Sequence, residues 1–177
     1  MRVFIGIALP DTIRRTLADV AEKLSKTIPG RYVARDNYHI TMAFIGETDQ
    51  DGVAGIKRAM DAAVKGQQMI ELSLGHPGYF GKKDNALLHM TVDGWEQLWD
   101  LDNRLRNELQ GEEIFFDKKP FKAHITLARK ARIDTETLKN WPKTNDTFCV
   151  NEITLFQSIR TEGKIRYLPI GKAHFKK

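Results

Sequence analysis

Two pentads of nearly the same sequence lie about half a chain length apart. They are His39-Ile40-Thr41-Met42-Ala43 and His124-Ile125-Thr126-Leu127-Ala128, with 85 positions between the two histidines in a chain of 177 residues. Only the fourth residue differs, and both versions of it are apolar. A repeat of this kind predicts a duplicated unit, so the fold must consist of two related halves that each supply one histidine.

Both pentads are rich in β-branched and apolar residues, which favour strands over helices. Because alternate side chains of a strand share a face, each histidine and the threonine two positions later point to the same side. The opposite side is bulky and apolar, and its predicted members are Ile40, Met42, Phe44, Ile125 and Leu127. Each pentad therefore has a packing face and an open polar face.

The polar face carries residues suited to phosphodiester chemistry. The unperturbed pKa of histidine lies near 6.5, so one ring can be neutral while its partner is charged. One ring can then remove a proton while the other donates one. The hydroxyls of Thr41 and Thr126 can donate hydrogen bonds to an oxyanion. A third match, His89-Met90-Thr91, lacks the alanine and the equivalent place in its half, so it is not part of the predicted pair.

The rest of the chain alternates strands and helices in an order that the second half repeats. Pro29-Gly30 ends the first helix, and the stretch from Gly75 to Asp84 is predicted to be a loop. Predicted strands cover residues 3–9, 31–35, 38–45, 69–74, 86–92, 114–117, 122–129, 147–158 and 164–170. Predicted helices cover residues 11–28, about 53–64, 95–110 and 135–141.

The alternation of the first strand predicts two further residues of the open face. Phe4 shares a side with Gly6, so it either stacks on a nucleobase or simply fills the core. His89 falls opposite Gly6 by the symmetry of the halves, so it either lines the site or is an ordinary strand histidine. The residues alone leave both alternatives open.

Composition limits the compartment and the partners. The single cysteine, Cys149, excludes an internal disulfide, and we expect a reducing cytoplasm. No segment reaches the length of a membrane span, so no membrane partner is expected, and we expect no secretory signal. The net charge of +5 permits an anionic partner. Basic residues cluster near the second pentad: Lys118, Lys119, Lys122, Arg129, Lys130 and Arg132.

The paired pentads resemble the signature of the 2H phosphoesterase superfamily, and within it the RNA 2′,3′-cyclic phosphodiesterases, also called 2′-5′ RNA ligases. The resemblance covers nearly the whole chain, from the opening strand to a closing hairpin at Gly163–Pro169. It implies an α+β fold that is bilobed and duplicated, with two antiparallel sheets facing a central cleft and helices outside. The chain would be one domain of two pseudo-symmetric lobes, about 1–85 and 86–177.

The resemblance also implies the site. It assigns His39 and His124 as the catalytic pair, and Thr41 and Thr126 as ligands of the phosphate. Arg129 matches an arginine that the family uses at the substrate, although simple strand alternation would place it on the packing face. Further substrate-binding residues are then predicted to be Phe4, His89 and Tyr167. No metal and no cofactor are implied.

The implied activity is hydrolysis of a 2′,3′-cyclic phosphate, at an RNA end or in a small cyclic nucleotide, to a 2′-phosphate. Weak reverse 2′-5′ ligation is a further expectation, and we expect a monomer. Which histidine is the base and which the acid stays open. An alternative is an RNA-end-binding module without turnover. A metal-binding protein is disfavoured, because the sequence has no ligands at metal spacing.

Overall fold

The computed structural model describes residues 1–175 and contains nine strands and four α-helices. A 3₁₀ turn, Arg35–Asn37, precedes the first motif strand. The strands are β1 Arg2–Ala8, β2 Arg31–Tyr32, β3 His39–Glu47, β4 Ile70–Lys82, β5 Asn85–Asp93, β6 His124–Ala131, β7 Thr147–Val150, β8 Glu152–Thr161 and β9 Lys164–His174. The helices are α1 Asp11–Ser25, α2 Gln50–Ala63, α3 Gln97–Gly111 and α4 Thr135–Lys139.

The strands form antiparallel ladders in two halves that meet at the motif strands. The order is β7-β4-β5-β6-β3-β1-β8-β9, and the short β2 pairs with β6. Between β3 and β6, the pairing consists of Ile40 opposite Ile125. The predicted α+β class with antiparallel sheets is confirmed. The two predicted sheets are joined edge to edge at this pair, which brings the two pentads side by side.

The duplication is visible in the strand register. Five of the residue pairs between β1 and β3 have a counterpart between β5 and β6. In the first half the pairs are Val3–Gly46, Ile5–Ala43, Gly6–Thr41, Ile7–Ile40 and Ala8–His39. In the second half they are Ala86–Ala131, Leu88–Ala128, His89–Thr126, Met90–Ile125 and Thr91–His124. The two halves therefore hold their histidines at equivalent positions of paired strands.

Both motif strands carry a β-bulge at the same place. The pairing skips Met42 in the first half and Leu127 in the second. A bulge inserts one extra residue and reverses the alternation beyond it. Phe44 consequently lies opposite Phe4 on the open face and is 38% exposed, which contradicts its predicted place on the packing face.

The strands of each half do not come from one continuous segment. β4 precedes residue 85 but pairs with β5 and β7 of the second half. β8 follows residue 86 but pairs with β1, and β9 pairs with β8. The pairing therefore does not follow the predicted lobe boundary at about 85, because each half completes its sheet with strands from the other part of the chain.

The apolar side of the sheet forms the core. Ile40, Met42, Ile125 and Leu127 are at most 2% exposed, as the alternation predicts. Each fully buried side chain of this size contributes roughly 1.5–3 kcal/mol to the free energy of unfolding. Helix α1 buries one apolar stripe, consisting of Ile13, Leu17, Val20, Ala21 and Leu24. No helix within residues 1–175 is long and apolar enough to span a membrane.

In three segments the structure differs from the secondary structure predicted from the sequence. The predicted loop from Gly75 to Asp84 is mostly strand, because β4 continues to Lys82. Its glycines allow close contacts and a tight hairpin rather than a loop: a Cβ at Gly78 would lie 2.9 Å from Cε1 of His89, and Gly81 has a φ of 90°. Residues 114–117 form no strand. The predicted strand 147–158 is divided at Asn151 into β7 and β8.

Candidate active site

The two motif histidines are anchored in the same way. Nδ1 of His39 lies 2.7 Å from the carbonyl oxygen of Asn37, and Nδ1 of His124 lies 2.7 Å from that of Lys122. Since a carbonyl oxygen only accepts, Nδ1 must be the donor in both rings. Nε2 is therefore the bare nitrogen of each neutral ring, and it is the atom available to exchange a proton on the open face.

The two threonines lie beside the histidines but differ in their hydrogen bonds. The hydroxyl of Thr41 donates to Nε2 of His39 over 2.8 Å. Among residues 1–175, Nε2 of His124 has no equivalent bond with Thr126. Because Ile40 is opposite Ile125 in an antiparallel pair, His39 falls opposite Thr126 and His124 opposite Thr41. The structure thus brings all four predicted motif residues together on neighbouring strands.

Burial and positive charge lower the pKa of both histidines. Burial lowers the pKa of His39 to about 4, and the charges of His124 and Arg129 act in the same direction, against the bond to Asn37. Burial also lowers the pKa of His124, followed by the charge of Arg129, while the bond to Lys122 opposes both. The neutral form of each ring is therefore favoured, and each step that protonates one ring disfavours protonation of the other.

Arg129 lies on the histidine side because of the bulge at Leu127. Without the bulge, alternation from His124 would have placed it on the packing face. The guanidinium is exposed, and its charge acts on the pKa of both histidines. Its counterpart 85 positions earlier is Phe44, which contacts Arg2 at 5.0 Å from guanidinium to ring centre. The site is therefore symmetric in its histidines and asymmetric in its charge.

An aromatic wall surrounds His39. Phe4 lies 4.8 Å from the His39 ring and stacks on Phe156 at 5.1 Å between ring centres. Tyr167 is edge-on to His39 at 5.1 Å. Phe4 is only 5% exposed, so it has almost no ring surface left for a nucleobase. The structure thus contradicts the expectation that Phe4 stacks on a base, whereas the half-buried Tyr167 remains a candidate substrate contact.

The wall around His124 consists of other residues. Phe80 is edge-on to His124 at 5.0 Å and lies 4.3 Å from the ring of His89. His89 is only 4% exposed and lies 5.6 Å from His124. Burial, then the charges of His124 and His76, lower the pKa of His89 to about 4. His89 is part of the site, but its burial does not fit a direct substrate contact.

Sequence reasoning missed Phe80 and Phe156. Their cross-strand partners, Leu87 and Phe4, occupy equivalent positions in the two halves. Phe80 falls in the predicted loop. Its distance from the Lys83-Asp84 turn, which pairs it with Leu87, is the signal that could have found it. Within the described part of the chain, no group of three or more His, Cys, Asp or Glu side chains is arranged to hold a metal ion.

Fold and site together define a class: a duplicated antiparallel sheet with one His-x-Thr strand per half is the fold of the 2H phosphoesterases. The chain belongs to the 2′-5′ RNA ligase superfamily, whose family model matches residues 9–162.

Similar proteins of known name and structure support this membership. The chain is 31% identical to an RNA 2′,3′-cyclic phosphodiesterase of Escherichia coli over 97% of this chain and 94% of that protein. It is 30% identical to one of Thermotoga maritima over 73% of this chain and 70% of that protein. The crystal structure of E. coli LigT complexed with 3′-AMP superposes with a TM-score of 0.84 at 27% identity, covering 99% of this chain and 98% of that one.

Replacement of Arg129 by glutamine is expected to raise the pKa of both His39 and His124. The guanidinium is a nearby positive charge, and its removal makes a protonated imidazole less unfavourable. The measurement is an NMR titration of the histidine ring signals. Arg132→Gln is the matched control, because Arg132 is an exposed arginine at the end of the same region. Unchanged or lower histidine pKa values in Arg129→Gln would contradict this electrostatic role.

Proposed function

We propose that this protein hydrolyses the 2′,3′-cyclic phosphate at an RNA end to a 2′-phosphate, using His39 and His124 as an acid/base pair. The observation that carries the proposal is the shared anchoring of the two rings. Each donates Nδ1–H to a backbone carbonyl two residues earlier, at 2.7 Å, and so keeps Nε2 for proton exchange. Two such nitrogens on one face are what an in-line displacement at phosphorus requires.

The reaction has one bond-making and one bond-breaking event. One neutral Nε2 takes a proton from water as the water oxygen attacks phosphorus. The bond from phosphorus to the 3′-oxygen breaks, and the protonated Nε2 of the other histidine gives its proton to that oxygen. The products are a 2′-phosphate monoester and a 3′-hydroxyl. The pseudo-symmetry leaves both assignments of base and acid open.

The remaining polar groups of the site would stabilise the charge on phosphorus. The hydroxyls of Thr41 and Thr126 would donate to the non-bridging oxygens, where negative charge develops. Thr41 would turn its hydroxyl from His39 to the phosphate, which frees Nε2 of that ring. The exposed guanidinium of Arg129 would attract the phosphate and pair with it over two hydrogen bonds. Tyr167 would contact the nucleoside from the wall beside His39.

The choice of an RNA end is supported by the relatives, since the proteins of E. coli and T. maritima are named RNA 2′,3′-cyclic phosphodiesterases. A LigT crystal structure with 3′-AMP supports a nucleotide in this fold. Small cyclic nucleotides are a further candidate substrate. We also propose that the protein works as a cytoplasmic monomer, and that weak 2′-5′ ligation is the reverse of the same reaction.

The proposed reaction is tested with an oligoribonucleotide that ends in a 2′,3′-cyclic phosphate, in the presence of a chelator. We expect turnover, with a bell-shaped dependence of kcat/KM on pH. Because the pKa of both free histidines is lowered, that bell should be centred below pH 6.5. A bound phosphate should raise both pKa values, so the bell for kcat should lie at higher pH.

Two outcomes would contradict the proposal. If the protein bound the cyclic end tightly without forming product, the module without turnover would be the better description. If activity disappeared with the chelator and returned with a divalent metal ion, the metal-independent mechanism would be wrong. A linear 3′-phosphate oligonucleotide of the same sequence is the control for unspecific nuclease activity.

A further inference from the structure

The two halves of the site differ at one equivalent position of their second strand. Gly6 in β1 pairs with Thr41, and His89 in β5 pairs with Thr126. His39 lies over Gly6, because a Cβ placed there would be 3.6 Å from Cδ2 of His39 and 2.5 Å from the carbonyl oxygen of Ile40. In the first half, Gly6 has no side chain, so the ring of His39 can lie close to the sheet.

In the second half, His89 fills the corresponding space. Its ring is 4% exposed and lies between the sheet and its two aromatic neighbours, at 4.3 Å from Phe80 and 5.6 Å from His124. Gly78 in the next strand makes room for it, because a Cβ there would be 2.9 Å from Cε1 of His89. The second half is therefore built around a buried imidazole that the first half excludes.

This difference coincides with a difference in hydrogen bonding. His39, above glycine, has its Nε2 bonded to the hydroxyl of Thr41 at 2.8 Å. For His124, above His89, no bond from Nε2 to Thr126 is found within residues 1–175. The Nδ1 of His89 is buried without a partner in the same described part. Because that nitrogen makes no hydrogen bond, what the His89 ring gives to the site is the space that it fills.

We propose that His89 is a positioning residue for His124: its ring holds His124 away from the sheet, so that Nε2 of His124 and the hydroxyl of Thr126 both stay free for the substrate. His89 acts through His124 and touches no reacting atom. The catalytic consequence rests on the proposed function, whereas the position of His124 does not. The pseudo-symmetric pair is thereby inequivalent before any substrate binds.

The protonation of His124 is then the sensitive observable. The charged and titratable groups around it are His39 in β3, His89 in β5, Arg129 in β6 and Lys122 before β6. His76 in β4 lies one neighbour further away, and its charge lowers the pKa of His89. A ring that drops towards the sheet loses contact with water. It also receives a hydrogen bond from Thr126 on Nε2, and both changes favour the neutral form.

The test compares two replacements of His89. His89→Gly recreates the arrangement at Gly6, which the first half of the fold already accommodates. We expect Nε2 of His124 to become hydrogen-bonded in ¹⁵N NMR spectra, the pKa of His124 to fall, and kcat to drop by up to about 10²-fold with little change in KM. His89→Leu keeps the bulk under His124, so the ring signals and kcat should stay close to those of the parent.

Two results would overturn the role of His89. One is a His89→Gly variant in which the Nε2 signal and pKa of His124 are unchanged. The other is a His89→Leu variant with the same loss as His89→Gly, because the imidazole chemistry rather than its bulk would then matter. If the parent itself opened no cyclic phosphate, the proposed function would fail, but the NMR comparison would still decide the position of His124. Circular dichroism confirms that each variant is folded.

Discussion

Replacement of His39 or His124 by alanine is expected to lower kcat/KM for a 2′,3′-cyclic phosphate end by about 10²–10⁴-fold each. Each substitution removes one of the two Nε2 atoms that exchange protons in the displacement. Because the two rings act in the same step, the double variant should lose little more than the worse single variant. The measurement is steady-state hydrolysis of a cyclic-phosphate oligonucleotide by the parent and the three variants.

His174→Ala is the matched control for the histidine variants. His174 lies on β9, its side chain is 70% exposed, and its ring faces Glu152 at 3.5 Å, away from the motif strands. The activity of His174→Ala should equal that of the parent. Full activity in both His39→Ala and His124→Ala would refute the two-histidine mechanism. Equal losses in His39→Ala, His124→Ala and His174→Ala would indicate a general effect on stability.

Replacement of Thr41 or Thr126 by valine is expected to lower kcat by about 10²–10³-fold, the range measured when one oxyanion donor is removed elsewhere. Valine keeps the β-branched shape that suits the strand, so the change removes a hydroxyl donor and little else. KM should change less than kcat, because the negative charge on the oxygens is greatest in the transition state.

The control for the threonine variants is Thr161→Val, an exposed threonine at the end of β8. It should leave kcat and KM unchanged. If Thr126→Val raised KM and left kcat intact, the hydroxyl would stabilise the bound substrate and the transition state equally. That outcome would contradict its assignment as a donor to the developing charge.

The local pattern of the motif strands was sufficient to predict which residues meet. Ile40 and Ile125 mark the packing face because their neighbours in each pentad are polar, and this alternation holds up to the fourth pentad residue. It fails beyond Met42 and Leu127, where the bulges reverse the faces of Phe44 and Arg129. A bulge depends on pairing with another strand, so the order of residues within one strand does not reveal it.

Pairing between distant strands could not be predicted from the sequence either, because it also depends on residues outside the strand. Gly75, Gly78 and Gly81 indicate a loop when they are considered alone, yet β4 pairs with β5 through this stretch because Gly78 leaves room for the ring of His89. Likewise, the repeat predicts two halves, but not that β4 and β8 cross between them. The strand pairs that hold β4 and β8 in these places join residues far apart in the chain, so the sequence of neither strand reveals them.

The bulges also explain how one fold produces both the symmetry and the asymmetry of the site. The identical bulges place the equivalent positions, Phe44 and Arg129, on the histidine side of the sheet. One half therefore presents an aromatic ring and the other a guanidinium at the same distance along the strand. A cyclic phosphate, which has two different ester oxygens, is expected to bind this charge pattern in one orientation.

The identity of the product is the sharpest test of the two-histidine mechanism. ³¹P NMR of a nucleoside 2′,3′-cyclic phosphate incubated with the protein and a chelator distinguishes the two possible monoesters. A histidine pair with a fixed substrate orientation predicts that only the 2′-phosphate accumulates, and that it does so with the parent protein and not with His39→Ala or His124→Ala. Accumulation of the 3′-phosphate, an equal mixture of both esters, or the same product from the two histidine variants would contradict this mechanism.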